Sequence, residues 1–247
     1  MVTLAEWLAQ GPFDLAMSSG FFSFYAHTGT LATLLARGLV PARVGGSSAG
    51  AMVTGLWAAG LAPDDLARIL MRLRRVDFWD PAPGAGLLRG QLFDRVLRSI
   101  APVARIEDCR VPVRISVFDI LARKTAVLSQ GDLADAIRAS CCVPGMFQPV
   151  RIDGRAYWDG GVLDRPGIHS WPAGRLLFHH IAAPAPWSRS EPPLPVRENM
   201  TTLVLRDLPR PNPFRLEAGR AALVAARETT ERALDAQIVD GVVRVHV

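Results

Sequence analysis

The sequence predicts an α/β protein organised around a sheet, and three observations carry that prediction. Short apolar stretches of strand length alternate along the chain with longer stretches of helical period. A glycine-rich turn, Gly45-Gly46-Ser47-Ser48-Ala49-Gly50, joins one such strand to one such helix. The chain has 247 residues, 49% of them hydrophobic, which suits one large domain with a sizeable core.

Taken in order, residues 14–17 read as a strand leading into a loop. A helix over 27–37 follows, closed by Gly38. Residues 43–45 form the short strand before the glycine turn, and the apolar run 51–61 is the helix after it. Pro63 sits in the first turn of a helix over 63–76, a position its missing N–H does not disturb. Residues 77–90, rich in Pro and Gly, read as a surface loop, and 91–101 as a helix. Residues 113–118 and 125–128 read as strands joined by the loop at 120–124. Asp132 caps a helix running to about Ser140. Strands at 175–181 and 200–205 flank a proline-rich stretch at 183–195, and 217–238 is a long amphipathic helix. There are no repeats, and no linker marks a second domain.

The turn at 45–50 contains G-x-S-x-G with Ser48 at its centre. In a strand-turn-helix context this pattern pushes a serine hydroxyl out of the sheet on a tight elbow. Gly46 and Gly50 leave room where strand and helix approach closely. The helix N-terminus supplies a positive field where an oxyanion would form. A phosphate cradle is the other use of such a turn. No lysine follows the glycines as a P-loop requires, however, and no G-x-G-x-x-G is present.

Far downstream stands Asp159-Gly160-Gly161, preceded by Ala139-Ser140-Cys141-Cys142-Val143-Pro144-Gly145-Met146-Phe147-Gln148-Pro149-Val150. With these two segments added to the elbow, the chain resembles the patatin-like phospholipase family, whose members pair a G-x-S-x-G serine with the aspartate of a D-G-G or D-G-A motif. The resemblance covers about residues 14–170 and implies a three-layer α/β/α sandwich with a mostly parallel central sheet. The whole of 1–247 then forms one domain, with 171–247 as its C-terminal strands and helix. It also implies a lipid or phospholipid esterase with Ser48 as nucleophile and Asp159 as its direct base. A serine hydroxyl is a poor nucleophile until a base takes its proton. A carboxylate does this only at hydrogen-bond range in a partly dry pocket. Gly160 and Gly161 let the backbone turn and bring the carboxylate to Ser48.

The family's oxyanion loop resembles G-G-G-x-(R/K)-G followed by H-x-G. Here the segment runs Ser18-Ser19-Gly20-Phe21-Phe22-Ser23-Phe24-Tyr25-Ala26-His27-Thr28-Gly29. Aligned on His27 and Gly29, Gly20 is the glycine that survives, Ser23 stands at the basic position and Phe24 at the last glycine. Backbone N–H groups make such a hole, and Gly20 and Phe21 are the residues expected to supply them. With no cation at Ser23, neutral esters or short-chain lysolipids are expected to be cleaved at least as well as diacyl phospholipids. Phe21, Phe22 and Phe24 suit either an acyl path or plain core packing.

Composition narrows the classes. No apolar run reaches the roughly 18–20 residues of a transmembrane helix, and residues 1–10 lack a basic n-region and cleavage site, so a cytoplasmic protein is expected. The net charge of +5 suits occasional peripheral contact with anionic lipid headgroups. No nucleic-acid motif is present, and Arg72, Arg74 and Arg75 read as a solvated helix face. Cys109, Cys141 and Cys142 form neither a metal pattern nor a disulfide framework, and no metal or cofactor is expected. Nothing in the sequence points to an oligomeric state. Two other functions stay open. One is an α/β-hydrolase triad in the order Ser48, Asp159 and then His169, His179 or His180. The other is a catalytically silent lipid-binding protein that keeps the fold.

Overall fold

A computed structural model describes residues 2–182 and 193–247. The N-terminal helix α1 (Leu4–Ala9) carries a reciprocal cap, in which Thr3 Oγ1 accepts from the Glu6 N–H and the Glu6 carboxylate accepts from the Thr3 N–H. Strand β1 (Asp14–Met17) leads through the 18–23 loop to helix α2 (Phe24–Ala36). Strand β2 (Arg43–Ser47) turns at Ser48 into helix α3 (Ala49–Ala58), followed by α4 (Pro63–Arg72). Then come β3 (Gly86–Leu88), α5 (Gln91–Ile100), β4 (Val113–Asp119), β5 (Lys124–Leu128) and α6 (Leu133–Ser140). Three short strands follow, β6 (Gly145–Phe147), β7 (Val150–Ile152) and β8 (Arg155–Asp159). Beyond the 160–175 segment lie β9 (Leu176–Ile181), β10 (Met200–Arg206), α7 (Leu216–Leu234) and β11 (Val242–His246).

Among the described residues the main sheet has nine strands in the order β11-β10-β9-β1-β2-β4-β8-β7, with β5 also on β4. The run from β11 to β4 is parallel throughout, and β8, β7 and β5 are antiparallel additions at one side. This is the mostly parallel α/β class expected from the sequence. Side chains alternate across the sheet. Leu15, Met17 and Leu177 join the large core beneath the helices, while Ala16, Leu176 and Phe178 join a small cluster with Trp171 on the other face. The parallel strands that form the sheet's centre are apolar on both faces, as doubly covered strands are.

Several boundaries differ from the sequence expectation, each for a local reason. Helix α2 begins at Phe24, three residues earlier than the motif alignment suggests, after the Ser23 N–H turns back to the Gly20 carbonyl. Helix α4 stops at Arg72 and not at Val76. There the Asp77 carboxylate captures the Arg74 N–H and offers the backbone an alternative to the helix. Helix α7 stops at Leu234, because residues 236–238 leave it to bond the N-terminal segment through the Leu4 and Ile238 N–H groups. The surface loop read at 77–90 contains β3, which pairs in parallel with β6 as a two-stranded sheet. Strands β6, β7, β8 and β11 and helix α1 were not expected from the sequence. The proline-rich stretch read at 183–195 lies outside the described residues as far as 192.

The elbow glycines are sterically required. A Cβ on Gly50 would enter the Met17 carbonyl and come within 2.8 Å of the Met17 Cβ; one on Gly46 would strike the same carbonyl oxygen. Both obstacles are backbone of the central strand and cannot swing aside. Gly50→Ala should therefore destabilise the fold by about 3 kcal/mol, the upper end of the usual overpacking cost. A urea midpoint equal to the parent's would contradict this packing.

Candidate active site

Ser48 stands between β2 and α3 at the carboxyl ends of the parallel strands, the edge where sites form in sheets of this kind. Its backbone is strained, with φ 52° and ψ −120° in a residue that has a Cβ. Two serines hold that conformation. The Ser48 N–H donates to Ser140 Oγ at 2.8 Å, and Ser140 Oγ–H donates to the Ser116 carbonyl at 2.7 Å, tying the elbow to α6 and β4.

The turn presents the Ser48 hydroxyl to Asp159 at the end of β8. Ser48 Oγ donates to Asp159 Oδ2 at 2.6 Å, and the Gly161 N–H donates to Asp159 Oδ1 at 2.7 Å. Asp159 is only 5% exposed. That burial raises its carboxyl to about 6 against the bonds from Ser48 and Gly161 and the nearby Arg165, which oppose the rise. The closeness depends on the glycines as the sequence suggests. A Cβ on Gly160 would meet the Ser116 carbonyl and Ser47 Oγ, and one on Gly161 would meet Ser19 Oγ at 2.7 Å.

Behind the elbow, the buried Asp164 carboxylate accepts from Ser116 Oγ at 2.8 Å and from the N–H groups of Gly167, Ile168 and His169. This fixes the loop that crosses the backbone of Gly46 and Ser47. The sequence reading assigned no role to Ser116, Ser140 or Asp164. Ser140 was visible within the motif before Asp159, but its partner, a backbone N–H, leaves no sequence mark.

The candidate oxyanion residues Gly20 and Phe21 line the same cavity as Ser48 and Asp159. The Ser19 N–H is taken by the Arg165 carbonyl at 2.7 Å, which ties the loop to the segment after Asp159. Phe22, at the variable position of the family pattern, takes up left-handed strain at φ 56°. Phe22 also packs on Phe24 and Phe78. The cavity has a volume of about 1110 Å³, and its walls include Phe21, Phe22, Phe24, Met52, Phe93 and Met146. Of the two roles considered for the phenylalanines, lining is thus real for all three, and Phe22 serves the core as well.

The histidines lie elsewhere. His179 on β9 is fully buried against α2, its Nδ1 2.9 Å from His27 Nδ1 and its Nε2 3.4 Å from Thr30 Oγ1. His27 Nε2 lies 2.9 Å from the Ser18 carbonyl and must carry its proton there, so its Nδ1 accepts from His179. Burial lowers both rings, His27 to about 3, and keeps them neutral. His180 faces the opposite side of the sheet beside Phe178, lowered to about 4 by burial and then by Arg165 and Arg206. His169 is exposed in its loop. Among the described residues no histidine is hydrogen-bonded to Ser48 or Asp159. The cysteines are free thiols. Cys141 lines the cavity, its thiol pushed well above the ordinary range by burial. Arg72, Arg74 and Arg75 are exposed as expected, with Arg75 stacked on Phe214 at 5.0 Å. No group of His, Cys, Asp and Glu suited to a metal ion occurs among the described residues.

Several known proteins resemble this chain in sequence or in fold. An uncharacterized NTE family protein of Mycobacterium bovis is 38% identical over 154 residues, which is 61% of this chain and 42% of that protein. Neuropathy target esterase sws of Drosophila melanogaster is 24% identical over 192 residues, 73% of this chain and 13% of that one. The chain thus spans less than half the length of these relatives. Among solved structures, VipD from Legionella pneumophila shares the fold, with a TM-score of 0.57 and 15% identity over 78% of this chain and 50% of that one. The model of the family described as patatin-like phospholipase matches residues 15–170, and that stretch carries both Ser48 and Asp159. This chain belongs to the patatin-like phospholipase family.

Proposed function

We propose that the chain is a serine acyl hydrolase that cleaves the carboxylic ester bonds of lipids through a Ser48–Asp159 dyad. The observation that carries this reading is the 2.6 Å bond from Ser48 Oγ to the buried Asp159 carboxylate, at the start of a helix and at the floor of a large apolar cavity. Ser48 Oγ attacks the ester carbonyl carbon while its proton passes to Asp159 Oδ2. The oxyanion of the tetrahedral intermediate meets the backbone N–H groups of Gly20 and Phe21 and the N-terminus of α3. Collapse expels the alcohol, which takes the proton from Asp159. Water gives a proton to Asp159 as its oxygen attacks the acyl-serine carbon; the bond to Ser48 Oγ breaks, the acid leaves, and Ser48 Oγ takes the proton back from Asp159. The Drosophila relative is named an esterase, which supports ester chemistry. The cavity exceeds the roughly 300–1,000 Å³ of common small-molecule sites, so long acyl groups fit as well as short ones.

The same reading takes 1–247 as one domain, since β9, β10 and β11 extend the sheet that carries Ser48. It makes the protein a cytoplasmic enzyme that meets lipid at a surface. No helix among the described residues is long and apolar enough to cross a membrane. Phe21, Val162 and Leu163 both line the cavity and stand 43%, 43% and 59% exposed, an apolar rim suited to peripheral contact.

Hydrolysis of a p-nitrophenyl acyl ester tests the proposal, and its absence in folded protein would favour the silent lipid-binding reading. Single alanine replacements of His169, His179 and His180 should each keep measurable turnover. A folded histidine variant as inactive as Asp159→Asn would replace the dyad by a triad. Gly20→Pro deletes one N–H from the loop and should lower kcat by about 10²–10³-fold, the usual effect of losing one oxyanion donor. A folded Gly20→Pro protein with parental kcat would remove Gly20 from the site.

A further inference from the structure

Two buried histidines take no part in the proposed chemistry, yet one of them touches the loop that serves it. His27 and His179 stand 152 residues apart in the chain, and both are fully buried. On the same face of β9, Leu177 and Ile181 belong to the apolar core, so an apolar side chain would suit position 179 as well. The bonds of His179 give it another task. With His27 donating to the Ser18 carbonyl from Nε2, His179 must donate to His27 from Nδ1. Its own Nε2 is then an acceptor, and Thr30 Oγ1–H faces it. Thr30 in turn accepts from Thr230 on α7 at 3.0 Å. A Cβ on Gly29 would strike the Leu223 carbonyl, and that close approach is what brings α7 to Thr30. Every proton from Thr230 to Ser18 thus has one place.

The chain of bonds ends on the peptide group that opens the oxyanion loop. His27 holds the Ser18 carbonyl of that peptide at 2.9 Å, and the Arg165 carbonyl holds its N–H, that of Ser19, at 2.7 Å. A peptide group is planar, so holding both polar ends fixes its orientation. The next two N–H groups belong to Gly20 and Phe21, which line the cavity with Ser48. We infer that His179 is a positioning residue: through His27 it sets the angle of the Ser18–Ser19 peptide and so aims the N–H groups of Gly20 and Phe21 at the oxyanion. This rests on the acyl-hydrolase reading above and on the place that reading gives the loop.

Asparagine carries its amide N–H close to where histidine has Nδ1, and glutamine close to Nε2, so the two positions should respond in opposite ways. At 179 the needed donor is Nδ1. His179→Asn should keep kcat on a p-nitrophenyl acyl ester within about threefold of the parent, and His179→Gln should lower it about tenfold, with KM unchanged in both. At 27 the needed donor is Nε2, so His27→Gln should keep kcat within about threefold and His27→Asn should lower it about tenfold. These losses fall short of the one expected of Asp159→Asn. A packing role alone would not invert the order of Asn and Gln between the two positions. The same order at both positions in folded variants, or a loss carried by KM, overturns the inference. Thr30→Val nearly keeps the side-chain volume and removes the donor to His179 Nε2. It should lower kcat about threefold, and parental kcat in it overturns the inference even where a histidine variant does not fold.

Amide hydrogen exchange needs no turnover. The Ser19 N–H should exchange about tenfold faster in His179→Gln than in the parent or in His179→Asn. If the parent cleaves no ester but this order of exchange is found, the hydrolase reading fails and the hold of His179 on the loop stands. If the Ser19 N–H exchanges alike in all three proteins, the positioning role fails whatever the esters show.

Discussion

Ser48→Ala should lose fluorophosphonate labelling entirely and lower ester turnover by about 10⁴-fold or more, the scale seen when a hydrolase loses its nucleophilic serine. Ser47→Ala should keep labelling at least in part. The two serines are adjacent, but only Ser48 reaches both the cavity and Asp159. Ser47 is fully buried, with no hydrogen-bond partner for its hydroxyl among the described residues. The strained backbone of Ser48 adds a second readout. Glycine accepts φ near 52° without the Cβ penalty, so Ser48→Gly should be inactive yet more stable than Ser48→Ala by about 1 kcal/mol. Labelling that survives in Ser48→Ala and vanishes in Ser47→Ala would move the nucleophile by one residue.

Asp159→Asn should lower kcat by about 10²–10⁴-fold, the range of a general base, and should leave the fold intact. In the parent protein kcat/KM should rise with pH through about 6, because the carboxylate must be ionised to take the Ser48 proton and burial raises it to that value. The stability effect has the opposite sense. The folded-state value lies above the ordinary 3.8, so the fold favours the protonated carboxyl. That contribution is complete below 3.8 and is lost as pH rises through about 6. Its full size is about 3 kcal/mol. Asparagine keeps the shape without the charge. The urea midpoint of Asp159→Asn relative to the parent should therefore climb between about pH 4 and pH 6 and stay higher above it. A variant less stable than the parent at pH 8 would show that the buried charge is not a liability here.

The elements legible in the sequence are those marked by pattern or punctuation. Strand β1, the elbow, the Asp132 cap and the Asp-Gly-Gly turn all announce themselves through glycines, caps or alternation, and Ser48 and Asp159 follow from them. The strands that escaped are short. Residues 155–159 pair with the edge of β4, 150–152 with 155–159, and 145–147 with β3, tertiary pairings with no periodicity of their own. Helix ends were missed where the chain finds a competing partner, as Arg74 does in Asp77. The roles of Ser140, Ser116 and Asp164 escaped for a related reason: Ser140 Oγ accepts from the N–H of Ser48, 92 residues earlier, and Ser116 Oγ donates to Asp164, 48 residues later, pairings that only folding creates.

The sheet order carries a consequence for the timing of activity. Ser48 and its carboxylate are 111 residues apart, and β1 sits between β2 and the much later β9. No early fragment of the chain can hold a reactive serine, since neither the base nor the strand that completes the loop's support has yet docked. Closing so long a loop is slow and is rewarded only once distant strands pair. The appearance of esterase activity during refolding should therefore lag behind helical circular dichroism and coincide with protection of the β1 amides from exchange. On the proposed function, turnover would time the pairing of these distant strands, and a chain stalled part-way would not yet act on ester.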